Sequence, residues 1–307
     1  MLLFFNRKLH NIIKEKKAMT LSNPSELKAV IEKHGFSFSK SLGQNFLIDK
    51  NVLGKIVDGS GIDEDWGVLE IGPGAGTLTR ELAAKAKKVV AVEIDKSLIP
   101  LLSDTLSDFP NAEVVCEDVM KVDLKALIAE KFPGMPVAVV ANLPYYITTP
   151  IIMNFLENEI PVKSLTVMVQ KEVAERMAAS PGGKDYGALS AVVQFYTEPK
   201  LICRAEPHCF MPQPKVESVV IRLSVLDKPR VLVSDKEYMF KIIKSAFGQR
   251  RKTLLNALSK SPYIHIEKSL VAKAIEEAGL DINIRGERLS LDDFAKLSEN
   301  LIAKTKD

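Results

Sequence analysis

Four short apolar runs, each ended by glycines or a polar side chain and separated by helical stretches, constrain this chain more than any other feature. They are Val68–Ile71, Val89–Glu93, Val114–Glu117 and Val137–Ala141. The first is followed by Gly72-Pro73-Gly74-Ala75-Gly76; the others end at Glu93, Asp118 and Asn142. Near-continuous apolar strands alternating with helices predict a doubly wound, mostly parallel sheet. Open sheets of this kind bind ligands at the carboxyl ends of their strands, where these glycines and polar residues fall.

The chemistry of those ends narrows the ligand. Glycines between a strand and a helix let a cofactor approach the backbone without a Cβ in the way. A dinucleotide fingerprint would need its third glycine at position 77, where Thr77 stands. The loop, with Pro73 inside it and Glu70 before it, fits S-adenosylmethionine better; a tight turn without a ligand is the alternative. A carboxylate at Glu93 can accept both ribose hydroxyls, and one at Asp118 can accept from an adenine amine. Beyond the fourth run, Asn142-Leu143-Pro144-Tyr145 combines a side-chain carbonyl, backbone carbonyls, a proline-stiffened turn and a flat ring. These groups suit a planar base carrying an exocyclic amino group.

The rest of the chain frames this site. A short helix is expected over 22–34, capped by Ser22 or Asn23 with Pro24 in its first turn. An ordered loop is expected over 36–49. Further helices are expected through Val52 and Ile56, at Leu78–Ala86, Ser97–Leu106, Leu124–Ala129, Pro150–Leu156 and around Val173–Ala178, with a strand at Leu165–Val169. Two β-rich stretches, Leu189–Tyr196 and Val216–Leu223, flank Phe210-Met211-Pro212-Gln213-Pro214 and predict a terminal antiparallel hairpin. From Asp235 onward the pattern is helical. Three units are expected: a basic extension over 1–21, a Rossmann-like domain over 22–226 and a small all-helical domain over 235–307. Met19 could serve as the initiator in place of Met1.

Composition removes several classes of function. A net charge of +3 on 307 residues is too small for binding of nucleic acid by overall charge, so any such role needs local patches. One patch is legible: residues 241–260 carry Lys241, Lys244, Arg250, Arg251, Lys252 and Lys260 and no acid. Ile243, Phe247, Leu254 and Leu258 can share one helix face, which predicts a packed helix with a basic outer side. A solvated face is the ordinary reading of such a run; the Arg250-Arg251-Lys252 cluster, with Lys244, favours phosphate contacts. Lys40 and Lys50 flank the 45–49 loop and could extend that surface. Three cysteines form no disulfide framework, and the chain reads as cytoplasmic and monomeric. Cys203, His208 and Cys209 lie close in sequence but lack a second ligand pair at metal spacing, so no metal is expected.

These motifs together resemble the ribosomal RNA adenine dimethyltransferase family of the KsgA/RsmA type. The resemblance runs from about Ser39 to Leu258. It includes Leu42-Gly43-Gln44-Asn45-Phe46-Leu47, Glu70-Ile71-Gly72-Pro73-Gly74-Ala75-Gly76, Val92-Glu93-Ile94-Asp95, Glu117-Asp118, Asn142-Leu143-Pro144-Tyr145-Tyr146-Ile147, Phe210-Met211-Pro212-Gln213-Pro214-Lys215-Val216 and Phe247-Gly248-Gln249-Arg250-Arg251-Lys252. It implies S-adenosylmethionine bound at Asn45, Leu47, Gly72, Gly74, Glu93, Asp118 and Asn142. It also implies N6-dimethylation of two adjacent adenosines near the 3′ end of small-subunit (16S) rRNA, and a late checkpoint role in small-subunit assembly. Asn142, Leu143, Pro144 and Tyr145 would form the acceptor site, with Phe210 covering the far face of the base. The related methyltransferases of large-subunit rRNA that confer macrolide resistance are the nearest alternative. A non-catalytic assembly factor and a small-molecule methyltransferase are more distant ones.

Overall fold

The computed structural model describes residues 21–39 and 42–305. Residues 1–20 of the basic extension, Met19 among them, and Lys40 lie outside the described residues. The first helix, α1 (Pro24–Lys33), is capped by Asn23, whose side chain accepts from the Ser25 amide at 2.9 Å. The loop that follows contains one two-residue strand, β1 (Phe46–Leu47). Then come α2 (Lys50–Ser60), β2 (Gly67–Ile71), α3 (Thr77–Ala83), β3 (Lys88–Glu93), α4 (Ile99–Thr105) and β4 (Ala112–Cys116). The chain continues through α5 (Leu124–Lys131), β5 (Val137–Asn142), α6 (Thr148–Glu157), β6 (Ser164–Gln170) and α7 (Lys171–Ala178). Up to this point in the chain the expected elements are present to within a few residues.

The hairpin region needs a correction. Residues 189–196, expected to be strand, lie in a helix, α8 (Ala188–Tyr196). The strand that pairs is the next segment, β7 (Thr197–Ala205), followed by β8 (Phe210–Met211) and β9 (Ser218–Val225). The apolar run Ala191, Val193, Phe195 alternates as a buried strand does, and period alone cannot separate the two over so short a length. Two polar side chains decide it. Ser190 accepts from the Gly187 amide at 3.0 Å and donates to the Arg176 carbonyl. One helical turn later, Gln194 donates to the carbonyls of Met177 and Ala179 at 3.0 and 2.8 Å. Both therefore satisfy the free carbonyls at the end of α7, which a helix leaves exposed. Pro199 and Lys200 argue against a strand inside a sheet, but β7 is the outermost strand and pairs only with β9. Proline is tolerated there because one side of the strand needs no donor.

The main sheet has seven strands in the order β4-β3-β2-β5-β6-β9-β7. The first five are parallel; β9 runs antiparallel to β6, and β7, antiparallel to β9, again runs in the direction of the first five. From β2 the chain builds outward through β3 and β4, then returns to place β5 on the other side of β2. This reversal opens a crevice at the carboxyl ends of β2 and β5, the place such folds use for ligands. Alternate side chains fill the two faces. Leu69, Val90, Val139, Val167 and Ile221 face one core, and Val68, Val89, Val140, Met168 and Val220 face the other.

The last helices are α9 (Lys236–Gly248), α10 (Leu254–Ser259), α11 (Lys268–Glu277) and α12 (Leu291–Thr305). Asp235 caps α9 by accepting from the Tyr238 amide at 2.9 Å. Ser290 and Asp293 cap α12 reciprocally, at 2.9 and 3.1 Å. The helices do not form a separate core: Met239, Ile243, Phe294 and Leu301 join the cluster that covers the sheet. Phe195 of α8 is the hinge of that contact, edge-on to Tyr196 at 4.9 Å and to Phe240 at 5.1 Å between ring centroids. Truncation of this fully buried ring (Phe195→Ala) is expected to cost about 3–5 kcal/mol. The check is the urea unfolding midpoint; a loss below about 1 kcal/mol would mean that the helices dock without it.

Candidate active site

Four strands of the parallel set, β2, β3, β4 and β5, deliver their terminal residues to one cleft. Its empty volume, open mouth included, is about 1030 Å³. Gly72, Gly74, Glu93, Asp118, Asn142, Leu143, Pro144 and Tyr145 line it, as do Asn45 and Leu47. Of the residues expected at the cofactor and acceptor sites, only Phe210 is outside the lining.

The glycine loop is shaped by conformation as much as by space. Gly72 and Gly74 have φ of +68° and +58°, a region L-residues avoid. A Cβ on Gly74 would also stand 2.7 Å from the Phe46 ring. The Glu93 carboxylate is buried and fixed by backbone donors: the Asp95 amide at 2.8 Å and the Gly74 amide at 3.4 Å. Burial pushes its pKa up, and these amides pull against that rise. Strand β4 stops at Cys116, so Asp118 sits in the turn beyond it, where Oδ1 accepts from the Met120 amide at 3.0 Å. A buried carboxylate on the second strand and a partly exposed one beyond the third, beside an open glycine backbone, match the donor set of a ribosyl-adenine ligand. The residues present therefore fit S-adenosylmethionine.

Asn142 closes β5. Its Nδ2 donates to the Asn45 carbonyl at 2.9 Å, so the amide has its carbonyl oxygen left for the cleft. In the turn that follows, the Pro144 carbonyl is taken by Thr148 Oγ1 at 3.0 Å and the Ile147 amide at 3.2 Å. Tyr145 is half-buried, and its hydroxyl shares a 2.6 Å hydrogen bond with Ser218 Oγ of β9. Burial raises its pKa, so the ring stays neutral. Phe210 is 2% exposed and packs in the core, paired in β8 with Leu47.

Several lining residues were not singled out from the sequence. Gln44 accepts from the Ser39 amide and donates to Asp95, both at 2.7 Å, and so ties the covering segment to the end of β3. Ile94, 50% exposed, and Val119 each follow an acid at a strand end. That repeated acid-then-apolar step was a legible signal for a flat ring bound against the sheet edge. Tyr146, 60% exposed, stands at the mouth.

The basic stretch differs from the single packed helix expected for it. Helix α9 ends at Gly248 and α10 begins at Leu254, so Arg250, Arg251 and Lys252 occupy the turn between them. Arg250 is engaged internally: Nε pairs with Glu287 at 3.1 Å and Nη2 donates to the Lys184 carbonyl. Arg251 and Lys252 are exposed. Lys244 lies over the Tyr263 ring at 4.2 Å.

Glu70 is the most perturbed acid in the cleft. It is 1% exposed, its Oε2 has no partner, and its pKa is pushed up to about 8. Burial is the main cause; the Thr79 hydroxyl opposes it and the charge of Glu93 adds to it. The folded protein thus holds a proton that the unfolded chain gives up near its ordinary value of 4.5. The stability tied to this proton is complete below about pH 4.5 and is lost as pH rises toward about 8, on the order of 5 kcal/mol in all. Glu70→Gln, neutral throughout, should flatten stability across this window in denaturant titrations. An equal slope in both proteins would place the titration elsewhere.

The ribosomal RNA adenine dimethylase profile matches residues 35–302. A ribosomal RNA small subunit methyltransferase A from Alkaliphilus oremlandii is 55% identical over 284 residues, 92% of this chain and 99% of that protein. Its counterpart from Clostridioides difficile is 52% identical, over 92% of this chain and 98% of that one. Among solved structures, a dimethyladenosine transferase from Plasmodium falciparum superposes with a TM-score of 0.73 at 26% identity, covering 85% of this chain and 98% of that one. The 23S rRNA methyltransferase ErmE superposes with a TM-score of 0.65 at 27% identity, covering 84% and 100%.

Proposed function

The chain belongs to the ribosomal RNA adenine dimethylase family, and from that membership we propose how its cleft works and on which RNA. The enzyme is an S-adenosylmethionine-dependent methyltransferase that forms N6,N6-dimethyladenosine in small-subunit rRNA, at two adjacent adenosines near the 3′ end. The observation that carries the site assignment is the position of Asn142: next to the Glu93 and Asp118 carboxylates in one cleft, with its amide nitrogen already committed to Asn45.

The bound cofactor supplies an electrophilic methyl group on a sulfonium. This chain's residues do the rest. Glu93 accepts the ribose hydroxyls, Asp118 accepts the adenine amine, the 72–74 backbone gives close approach, and the Asn45–Leu47 segment covers the cleft. Adenine's amino lone pair is delocalised into its ring, so transfer depends on positioning and charge stabilisation more than on a strong base. The Asn142 carbonyl and the Leu143 backbone carbonyl accept from the amine, which turns its lone pair toward the methyl group. Tyr145 stacks on the flipped base and offsets the cost of unstacking it, with Ser218 fixing the ring. Phe210, packed in the core against Leu47, supports the site from behind the covering segment.

Recognition of the folded RNA rests on shape and backbone contacts. Arg251 and Lys252 are the phosphate-binding cations of the 249–253 turn, and Lys244 extends them. Arg250 is the brace that holds the turn to Glu287. The enzyme works as a monomer in the cytoplasm and, after methylation, releases the subunit for late assembly steps. No helix among the described residues is long and apolar enough to cross a membrane.

Asn142→Ala should abolish turnover, by roughly 100-fold or more, as loss of a preorganised polar group at a reacting centre does. Cofactor affinity by calorimetry should change little, whereas Glu93→Ala should weaken it. Near-wild-type turnover in Asn142→Ala would remove this account of amine activation.

A further inference from the structure

Cys203, His208 and Cys209 offer no second ligand pair in sequence, but the fold brings one more ligand from elsewhere. The pairing of β1 with β8 carries Asp49 up to His208 and Cys209. Phe46 is in register with Met211 and Leu47 with Phe210, and the Ile48 amide donates to the Cys209 carbonyl at 2.8 Å. One carboxylate oxygen of Asp49, one ring nitrogen of His208 and the Cys209 sulfur lie within 4.8 Å of one another. We propose that Asp49, His208 and Cys209 form a three-ligand site for a borderline-soft divalent cation, Zn²⁺ being the ion their donor set fits.

The argument is first geometric. Zinc takes sulfur at about 2.3 Å and nitrogen or oxygen at about 2.0–2.2 Å, which sets tetrahedral ligands roughly 3.3–3.8 Å apart. The three donors need to draw in by an ångström or so, within the reach of side-chain rotation. The backbone that carries them is already held. Asp49 caps α2 through Oδ1, which accepts from the Val52 amide at 2.9 Å and leaves Oδ2 for a ligand bond. The 207–209 turn is closed by the Cys209 amide on the Glu206 carbonyl at 2.9 Å.

Electrostatics point the same way. Cys209 is 5% exposed, half-buried Asp49 and exposed His208 sit on its solvent side, and Glu206 adds a further negative charge nearby. A cation would relieve this crowding of acids. On binding, the Cys209 proton leaves to solvent and the thiolate takes its place as ligand. His208 offers the entry path, and its open side leaves the fourth position to water. The site is independent of the methyl-transfer reading. Its effect on the cleft is mechanical: the ion would clamp Asp49, two residues after Leu47, to the strand that holds the covering segment down.

The test uses the full-length reduced protein with Co²⁺ as a spectroscopic probe and Zn²⁺ in competition. The wild type should show a saturable thiolate-to-cobalt charge-transfer band that Zn²⁺ displaces, and Zn²⁺ should raise its Tm. The band should vanish in Cys209→Ala and persist in Cys116→Ser. His208→Ala, at an exposed position where folding is not in question, should weaken Zn²⁺ binding by roughly tenfold or more. A band that survives Cys209→Ala, an unchanged Zn²⁺ affinity in His208→Ala, or no saturable binding at all would each overturn the proposal.

Discussion

Strand β2 pairs in parallel with β3 on one side and β5 on the other, and the site depends on that arrangement. Because the chain leaves β2 in one direction and returns on the other, the loops after β2, β3 and β5 diverge over a single crevice. The glycine loop then faces Glu93 across one neighbour and Asn142 across the other. Neither acid nor amide needs a long side chain to reach the cleft, since each stands at the end of its own strand. The buried, fully apolar strands beneath them, Val89 to Val92 and Val137 to Ala141, keep those ends from shifting.

A second layer completes the cleft from outside the sheet. The segment from Gly43 to Asp49 crosses the opening and is fastened at three places. Gln44 bonds Asp95, the Asn45 carbonyl accepts from Asn142, and β1 pairs with β8. All three anchors use residues that themselves line the site. Asn142 therefore has two duties: its nitrogen holds the cover and its oxygen faces the acceptor. The hairpin strand β9 adds a third support, through Ser218 on Tyr145. An acceptor side built from the end of β5 and braced by β9 and a cofactor side built from β2, β3 and β4 meet at the Asn142 amide.

Much of this was legible in the sequence because the relevant signals are local. Glycines after an apolar run, acids at consecutive strand ends and Asn-Leu-Pro-Tyr after the fourth run sit at positions that the α/β alternation itself predicts. What escaped was decided by contacts between distant segments. Residues 188–196 alternate as a strand would, and only the bonds of Ser190 and Gln194 to the end of α7 reveal the helix. That Phe210 is buried beside Leu47 follows from the pairing of β8 with β1, which joins segments far apart in the chain. Arg250 reads as a phosphate ligand because its neighbours are basic; that it also pairs with Glu287, 37 residues later, shows only in the fold. The proximity of Asp49 to Cys209 is likewise invisible until β1 finds β8.

The central claim is that this cleft dimethylates adenine N6 in small-subunit rRNA. It is tested most directly by incubating the protein with labelled S-adenosylmethionine and small ribosomal subunits that lack the modification, then digesting the RNA to nucleosides. The account predicts label in N6,N6-dimethyladenosine from two adjacent positions near the 3′ end. Absence of that nucleoside, or labelling of naked large-subunit RNA in its place, would contradict it.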